Sequence, residues 1–270
     1  MIIRCQEDDE KIIESYIGKE YYKCLYLYMN LQRYGIGSQA IDVYMDKFEN
    51  KIKAVYLFYF SCVHVYSKDN DFSVQELKEL LKSHSIKMIY CEKNTAEYIG
   101  DNCSCSERPF TITYGWVAEI TNVEEKHRES VQLAAATDFK QIVQMIYGDE
   151  DIGKSYNKNE LAEQLLQRFK EGYSRNYVIK KKDLVIAHAC TNAEIDGVAV
   201  VAELIVNREY RGKGYALEIW RAICEKLLNE GKRVFSFYYS NESRNLHKKV
   251  GFHEICEWGK IVFNNNYMEV

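Results

Sequence analysis

The chain has 270 residues, enough for one large domain or two of half that length, and its 47% hydrophobic and 28% charged content is that of a globular protein with a sizeable core. Its 36 basic and 40 acidic residues leave a formal net charge of −4, which offers no global field for nucleic acid or an anionic membrane, so any anion site must be local. Met1 to Glu10 lacks an apolar stretch of signal-peptide length, no segment approaches the roughly 18 apolar residues of a spanning helix, and the cysteines are scattered without a disulfide pattern, so a cytoplasmic protein is expected. Cys103-Ser104-Cys105, with no second Cys or His pair nearby, falls short of a tetrahedral zinc site, and no metal is expected.

In chain order, the aromatic run Tyr21 to Tyr28 reads as a helix face buried in a core or as a wall of an acceptor pocket. Ile52 to Val65 is rich in strand formers. Ser73 to Ser83 predicts a helix built on Val74, Leu77, Leu80 and Leu81, Ile86 to Glu92 a strand, and Asn94 to Ile99 the start of another helix. Thr121 to Glu129, charged and without periodicity, is the expected linker between an N-terminal domain, 1–120, and a C-terminal one, 130–270.

Beyond it, Ser130 to Ala135 alternates like an edge strand, and Thr137-Asp138-Phe139 opens a helix whose apolar face is Phe139, Ile142, Val143 and Ile146. Asn159 to Phe169 predicts a second helix on Leu161, Leu165 and Phe169. Arg175 to Lys180, Leu184 to Ala193 and Val198 to Val206 are three strands joined by tight polar turns, an antiparallel meander. A glycine-rich turn then leads into a helix from Tyr215 to Asn229, with Leu217, Trp220, Ile223, Cys224 and Leu227 inward. A buried strand, Val234 to Tyr239, a short helix, Ser243 to Val250, and a strand, Glu254 to Phe263, complete the order. The strand, helix, strand, helix series after Ile52 repeats the later one in order and spacing, which reads as an internal duplication.

The most informative segment is Ile205-Val206-Asn207-Arg208-Glu209-Tyr210-Arg211-Gly212-Lys213-Gly214-Tyr215-Ala216. Successive backbone N–H groups in a glycine turn at a helix start make a concave donor array, and the helix dipole adds about half a positive charge there. Such a turn suits a phosphate or pyrophosphate. Gly212 and Gly214 admit close approach, Ala216 keeps the first turn small, and Arg211 and Lys213 supply outer charge. Neither a Walker loop nor a full dinucleotide fingerprint is present. A glycine turn of this kind also occurs as a plain strand-to-helix connection. The weight against that reading comes from a second element, Asn241-Glu242-Ser243-Arg244-Asn245-Leu246-His247-Lys248-Lys249-Val250-Gly251-Phe252.

Together these two segments resemble the Gcn5-related N-acetyltransferase (GNAT) superfamily, whose cofactor loop reads Arg/Gln-x-x-Gly-x-Gly/Ala and whose later motif reads roughly Asn-x-x-(small)-x-x-Leu-Tyr-x-x-x-Gly-Phe. Arg211, Gly214 and Ala216 fill the first motif, and Asn241, Leu246, Gly251 and Phe252 the second. The resemblance implies an α/β (α+β) fold of two tandem GNAT-like domains, each a mixed, mostly antiparallel sheet flanked by helices, with a splayed-strand acyl-CoA cleft in the C-terminal one. It implies acetyl-CoA, or another acyl-CoA, held by main-chain groups of Leu204, Ile205 and Val206, by the amides from Arg211 through Gly212, Lys213, Gly214 and Tyr215 to Ala216, and by Asn241 and Ser243 at the pantetheine end. The implied reaction is direct attack of an amine, from a small molecule or a peptide, on the thioester.

The sequence departs from the family at one important place: many members carry a Tyr as general acid where this chain has His247. His247 is therefore a candidate proton donor, with Tyr238 and Tyr239 as substitutes. Glu203, on the strand before the loop, is the candidate base, and His188 a further one, although a lone histidine between alanines is more often structural. Strand alternation would put Leu204 and Val206 on one face and Glu203 and Ile205 on the other. The first half has Lys68-Asp69-Asn70-Asp71-Phe72-Ser73 where the loop would be. That sequence has no glycine, and its acids repel pyrophosphate, so the N-terminal domain is expected to bind no CoA and to shape one wall of the acceptor site. A non-catalytic acyl-CoA sensor, or a tandem interaction module with neither activity, are the alternative readings.

Overall fold

The computed structural model describes residues 1–49, 51–103, 109–123, 130–149, 153 and 158–263. In chain order it contains β1 (Ile2–Arg4), α1 (Glu10–Ile17), α2 (Leu25–Tyr34), β2 (Asp42–Phe48), β3 (Lys51–Tyr59), β4 (Cys62–Tyr66), α3 (Val74–Lys82), β5 (Met88–Glu92), α4 (Lys93–Asn102) and β6 (Phe110–Ile120). There follow β7 (Val131–Leu133), α5 (Phe139–Tyr147), α6 (Lys158–Lys170), β8 (Asn176–Lys181), β9 (Leu184–Ile195), β10 (Val198–Val206), α7 (Tyr215–Asn229), β11 (Arg233–Tyr238), α8 (Asn241–Val250) and β12 (His253–Phe263). Two compact units result: Met1–Val117 with Cys256–Val270, and Ala118–Ile255. The units thus divide at Val117 and again within β12, where the sequence suggested one linker at 121–129, most of which lies outside the described residues, as do Ser104 and Cys105.

The first unit carries strands in the order β1-β2-β3-β4-β5-β12, antiparallel except for β4 with β5. Its sheet buries two apolar clusters. Ile13, Ile17, Leu27 and Leu31 pack on Val43, Met45, Val55 and Leu57, whereas Val74, Leu77, Leu81, Ala96 and Ile99 pack on Tyr56, Val63, Ile89 and Ile261. The aromatic run divides between a 3-10 stretch, Gly18–Cys24, and α2, where Leu25 and Leu27 are buried and Tyr21 stacks on Tyr28 at 4.8 Å.

In the second unit the order is β11-β10-β9-β8-β7, with the meander antiparallel and only β10 and β11 parallel. Phe139, Ile142, Val143, Ile146, Leu161 and Leu165 meet Val178, Val185 and Ile205 in one cluster, so α5 and α6 cover that face of the sheet. Helix α7 contributes nothing to this cluster. Its buried stripe is Ile219, Trp220, Ile223, Cys224 and Leu227, a helical repeat centred on Ile223 that leaves Leu217, expected inward, only half-buried at its edge.

Candidate active site

Strands β10 and β11 pair in parallel only where Val198–Val201 face Arg233–Ser236. Beyond that point β10 stays hydrogen-bonded to β9, as far as Val206 opposite Ala187. The two parallel strands have therefore parted from Ala202 onward, which frees the edge of β10 along Leu204, Ile205 and Val206; the register turns the main-chain groups of Ile205 toward His188 of β9 and those of Leu204 and Val206 to the open edge. A β-bulge interrupts this arm: Ala202 faces Cys190 and Ile205 faces His188, so Glu203 and Leu204 together oppose Ala189. Glu203 takes φ +54°, a left-handed conformation rare for a side chain of its size, and the simple alternation expected along this strand passes through that kink. Its Oε2 accepts the Cys190 thiol at 3.4 Å, and Ile205 enters the core under α5 and α6.

After β10 the Asn207 side chain caps a short 3-10 turn at Glu209, and the chain reaches α7 through Gly212 at φ +75° and Gly214 at φ +87°. Gly214 is the N-cap of α7 in the left-handed region, which a glycine enters without steric cost. A Cβ on either glycine would meet no protein atom within 4 Å, so the turn's outer surface is open. Among the described residues the amides of Gly212 to Leu217 donate to no protein acceptor, and the first to do so is Glu218, to the Gly214 carbonyl at 3.1 Å. A fifteen-residue helix behind such a donor array is what a pyrophosphate needs.

The flanking cations are arranged differently from the sequence expectation. Lys213 Nζ donates to the Glu209 carbonyl at 3.0 Å, while Arg211 donates from Nε to the Val206 carbonyl and from Nη2 to Asp149 Oδ2, both at 3.0 Å. Lys181, at the end of β8, adds a cation that the sequence reading missed: its Nζ lies 5.3 Å from the Tyr210 ring centre and 5.6 Å from that of Tyr215. Only the fold brings the β8–β9 turn to this loop.

His247 sits in an aromatic box of Trp220, Tyr238 and Phe252, with ring centroids at 5.4, 4.5 and 5.1 Å. Its Nδ1 lies 2.6 Å from the Ser243 carbonyl, which can only accept, so Nδ1 carries the proton. Burial lowers its pKa to about 4, so the ring is neutral at pH 7, and its Nε2 lies 2.8 Å from Ser236 Oγ, whose one proton also has the Val201 carbonyl within reach at 3.1 Å. Both ring nitrogens thus face protein atoms inside the aromatic box. Tyr238 is engaged too: its hydroxyl donates to Glu254 at 2.9 Å, the same carboxylate that receives Arg244 through two bonds of 2.6 and 2.7 Å. Alternation along β11 puts Tyr239, half-buried just beyond the strand, on the face opposite Ser236 and Tyr238.

His188 is fully buried, with Nε2 2.9 Å from Asn176 Oδ1 and its pKa pushed down by burial to about 3, which makes it a neutral core residue. Asn241 is the first residue of α8, whose N-cap Ser240 accepts the Ser243 amide at 3.2 Å. The cap thus sets Asn241 and Ser243 on the first turn, beside the end of β11. Ser236, Glu254, Arg244 and Asp149 carry no motif signal, and only tertiary contacts identify them.

Residues 139–252 match the family model described as Acetyltransferase (GNAT) family. No curated protein sequence matches the chain. Among solved structures, a Drosophila protein aligns with a TM-score of 0.70 at 11% identity, over 98% of this chain and 99% of the other. An acetyltransferase of the GNAT family from Colwellia psychrerythraea aligns at 0.60 and 13% identity, over 98% and 100%. A tandem GNAT protein from the clavulanic acid biosynthesis pathway aligns at 0.59 and 10% identity, over 97% and 98%. At such identities the likeness is one of fold, and it extends over both units.

Proposed function

With a C-terminal unit that is a GNAT-family acetyltransferase domain, we propose that the protein transfers an acyl group, acetyl in the first instance, from acyl-CoA to an amine of a small molecule or peptide. The observation that carries this reading is the row of amides from Gly212 to Leu217 that find no acceptor among the described residues, set at the N-terminus of α7 beside the parted β10 and β11. Those amides would take the pyrophosphate. The main chain of Leu204 to Val206 would pair with the pantetheine arm, and the first turn of α8, with Asn241 and Ser243, would border its far end. The bound thioester supplies an activated carbonyl and a thiolate leaving group.

What remains for the chain is proton transfer. Glu203 is the base: it sits in the bulge of β10, and its carboxylate, which accepts the Cys190 thiol, would take a proton from the attacking amine directly or through water. Tyr239, one residue beyond the end of β11, is the donor to the departing thiolate. This leaves the chemistry on one strand bulge and one strand end, with α8 as a rigid support.

The test is thiol release from acetyl-CoA with a panel of amines, run beside calorimetric titration with coenzyme A. Turnover with any amine supports the enzyme. Tight binding with no turnover would make the chain a sensor, and absence of binding would remove the site assignment altogether.

A further inference from the structure

Strand β9 is a middle strand of the meander, and Cys190 lies where it is paired on both sides, with Ala202 of β10 and with Asn176 of β8. The backbone of Cys190 is therefore fixed, and its side chain is fully buried. Burial pushes the thiol's pKa well above its ordinary value, so the sulfur keeps its proton at neutral pH and brings no charge to Glu203. That proton has a defined destination. An ionised carboxylate can only accept, so in the 3.4 Å contact with Glu203 Oε2 the thiol donates, and the Ser174 hydroxyl, which also hydrogen-bonds the sulfur, supplies its own proton to that second bond.

Glu203 is held less firmly by its own backbone. It lies in a β-bulge at φ +54°, on a long, rotatable side chain. A general base loses effectiveness when its carboxylate turns away from the amine it serves. We propose that Cys190 is a positioning residue for Glu203: a thiol donor on a rigid strand that fixes the orientation of the carboxylate in the bulge. The thiol itself forms no bond to the acyl group, since a buried, protonated sulfur is a poor nucleophile. The inference rests on Glu203 as the base, stated above. Glu203 has other partners besides the thiol, and the inference needs Cys190 to be one support of the carboxylate, not the sole one.

The test is steady-state kinetics of the full chain with acetyl-CoA and an amine that turns over, run beside calorimetric titration with coenzyme A. Cys190→Ala removes the donor and should lower kcat roughly five- to tenfold at pH 8, with coenzyme A affinity within about twofold of wild type. Cys190→Ser keeps a proton donor in that place and should restore most of the loss. Should Cys190→Ala fail to fold, Cys190→Val, which fills the space without a donor, takes its place. In the Glu203→Gln background Cys190→Ala should lower kcat by less than about twofold further, because the group it positions is gone. A merely structural cysteine would cost the same factor in both backgrounds, and that result would overturn the proposal. A Cys190→Ala variant as fast as wild type, or a Cys190→Ser variant as slow as Cys190→Ala, would do the same. The two readings fail separately. If the wild type turns over no amine, or Glu203→Gln is as fast as wild type, the base assignment falls first and Cys190 with it. A slow Glu203→Gln beside an unaffected Cys190→Ala removes the positioning role alone.

Discussion

Two buried imidazoles give the second unit a pH dependence that can be worked out from their surroundings. Both His188 and His247 are held neutral by burial, with values near 3 and 4 against an ordinary 6.5. Their native values are depressed, so the unfolded chain takes up protons first as the pH falls. The stability contributed by the neutral rings is complete above 6.5 and is lost as the pH drops from there toward 4 for His247 and toward 3 for His188. At 1.36 kcal/mol per pH unit, the interval from 6.5 to pH 5 costs about 2 kcal/mol for each ring, or about 4 kcal/mol together. Urea denaturation followed by tryptophan fluorescence at pH 8 and pH 5 should show that loss in the transition of the second unit, where Trp220 packs edge-on against His247. In His247→Asn the amide can still donate to the Ser243 carbonyl, so the variant should fold with reduced stability at pH 8 and lose about 2 kcal/mol less than wild type between pH 8 and pH 5. An unchanged difference between the two pH values in this variant would refute the neutral, buried imidazole and return His247 to the list of proton donors.

Gly214→Val should weaken coenzyme A binding at least tenfold while leaving the protein folded: the side chain has open space around it, but a φ of +87° strains a branched residue by about 1–2 kcal/mol and its methyls would face the phosphates. Affinity equal to wild type by calorimetry would end the loop assignment. Glu203→Gln should lower kcat by about a hundredfold with coenzyme A affinity retained and the acidic limb of the pH–rate profile removed, whereas parallel loss of binding would mark Glu203 as a structural part of the bulge. Tyr239→Phe should remove the basic limb instead, and a profile identical to wild type would exclude Tyr239 as the donor. Titration should saturate at one coenzyme A per chain, and a second equivalent would require a site in the first unit.

The elements that the sequence revealed are those with a clean period. Val198–Val206 and Tyr215–Asn229 fall where β-branched runs and helical spacing put them, and the buried face of α5 is the predicted Phe139, Ile142, Val143 and Ile146. The glycine loop was legible because its chemistry is local, a turn conformation and a helix start. What escaped were features set by distant neighbours. No pattern marks a glutamate that will take a left-handed φ, because the bulge arises from how β10 registers on β9. His247 occupies a motif position that points to proton transfer, yet Trp220, Tyr238 and Phe252 close around the ring, and α8 supplies the carbonyl that fixes its tautomer. Asp149 lies sixty-two positions from the arginine it meets, beyond the reach of any spacing argument.

The two units show what separates a ligand site from the same order of elements without one. In the first unit, β4 and β5 also run parallel with α3 between them, but the connection at 68–73 spends its groups on the protein itself. The Lys68 amide goes to the Tyr16 hydroxyl, the Asn70 amide to Ser67 Oγ and the Glu76 amide to the Ser73 cap, while Asp69 and Asp71 pair with Lys51 and Lys53. Each of the three amide bonds stabilises the turn by about 1 kcal/mol and removes a donor an anion could have used. In the second unit the amides of Gly212 to Leu217 have no acceptor among the described residues, at the cost of two left-handed glycines and no side-chain cap on α7. A turn that forgoes those bonds is less stable alone and recovers the difference only when an anion is present. By this reasoning coenzyme A should raise the melting temperature of the protein, as mass action requires of a ligand that binds only the folded state, and an unchanged melting temperature at saturating coenzyme A would refute it.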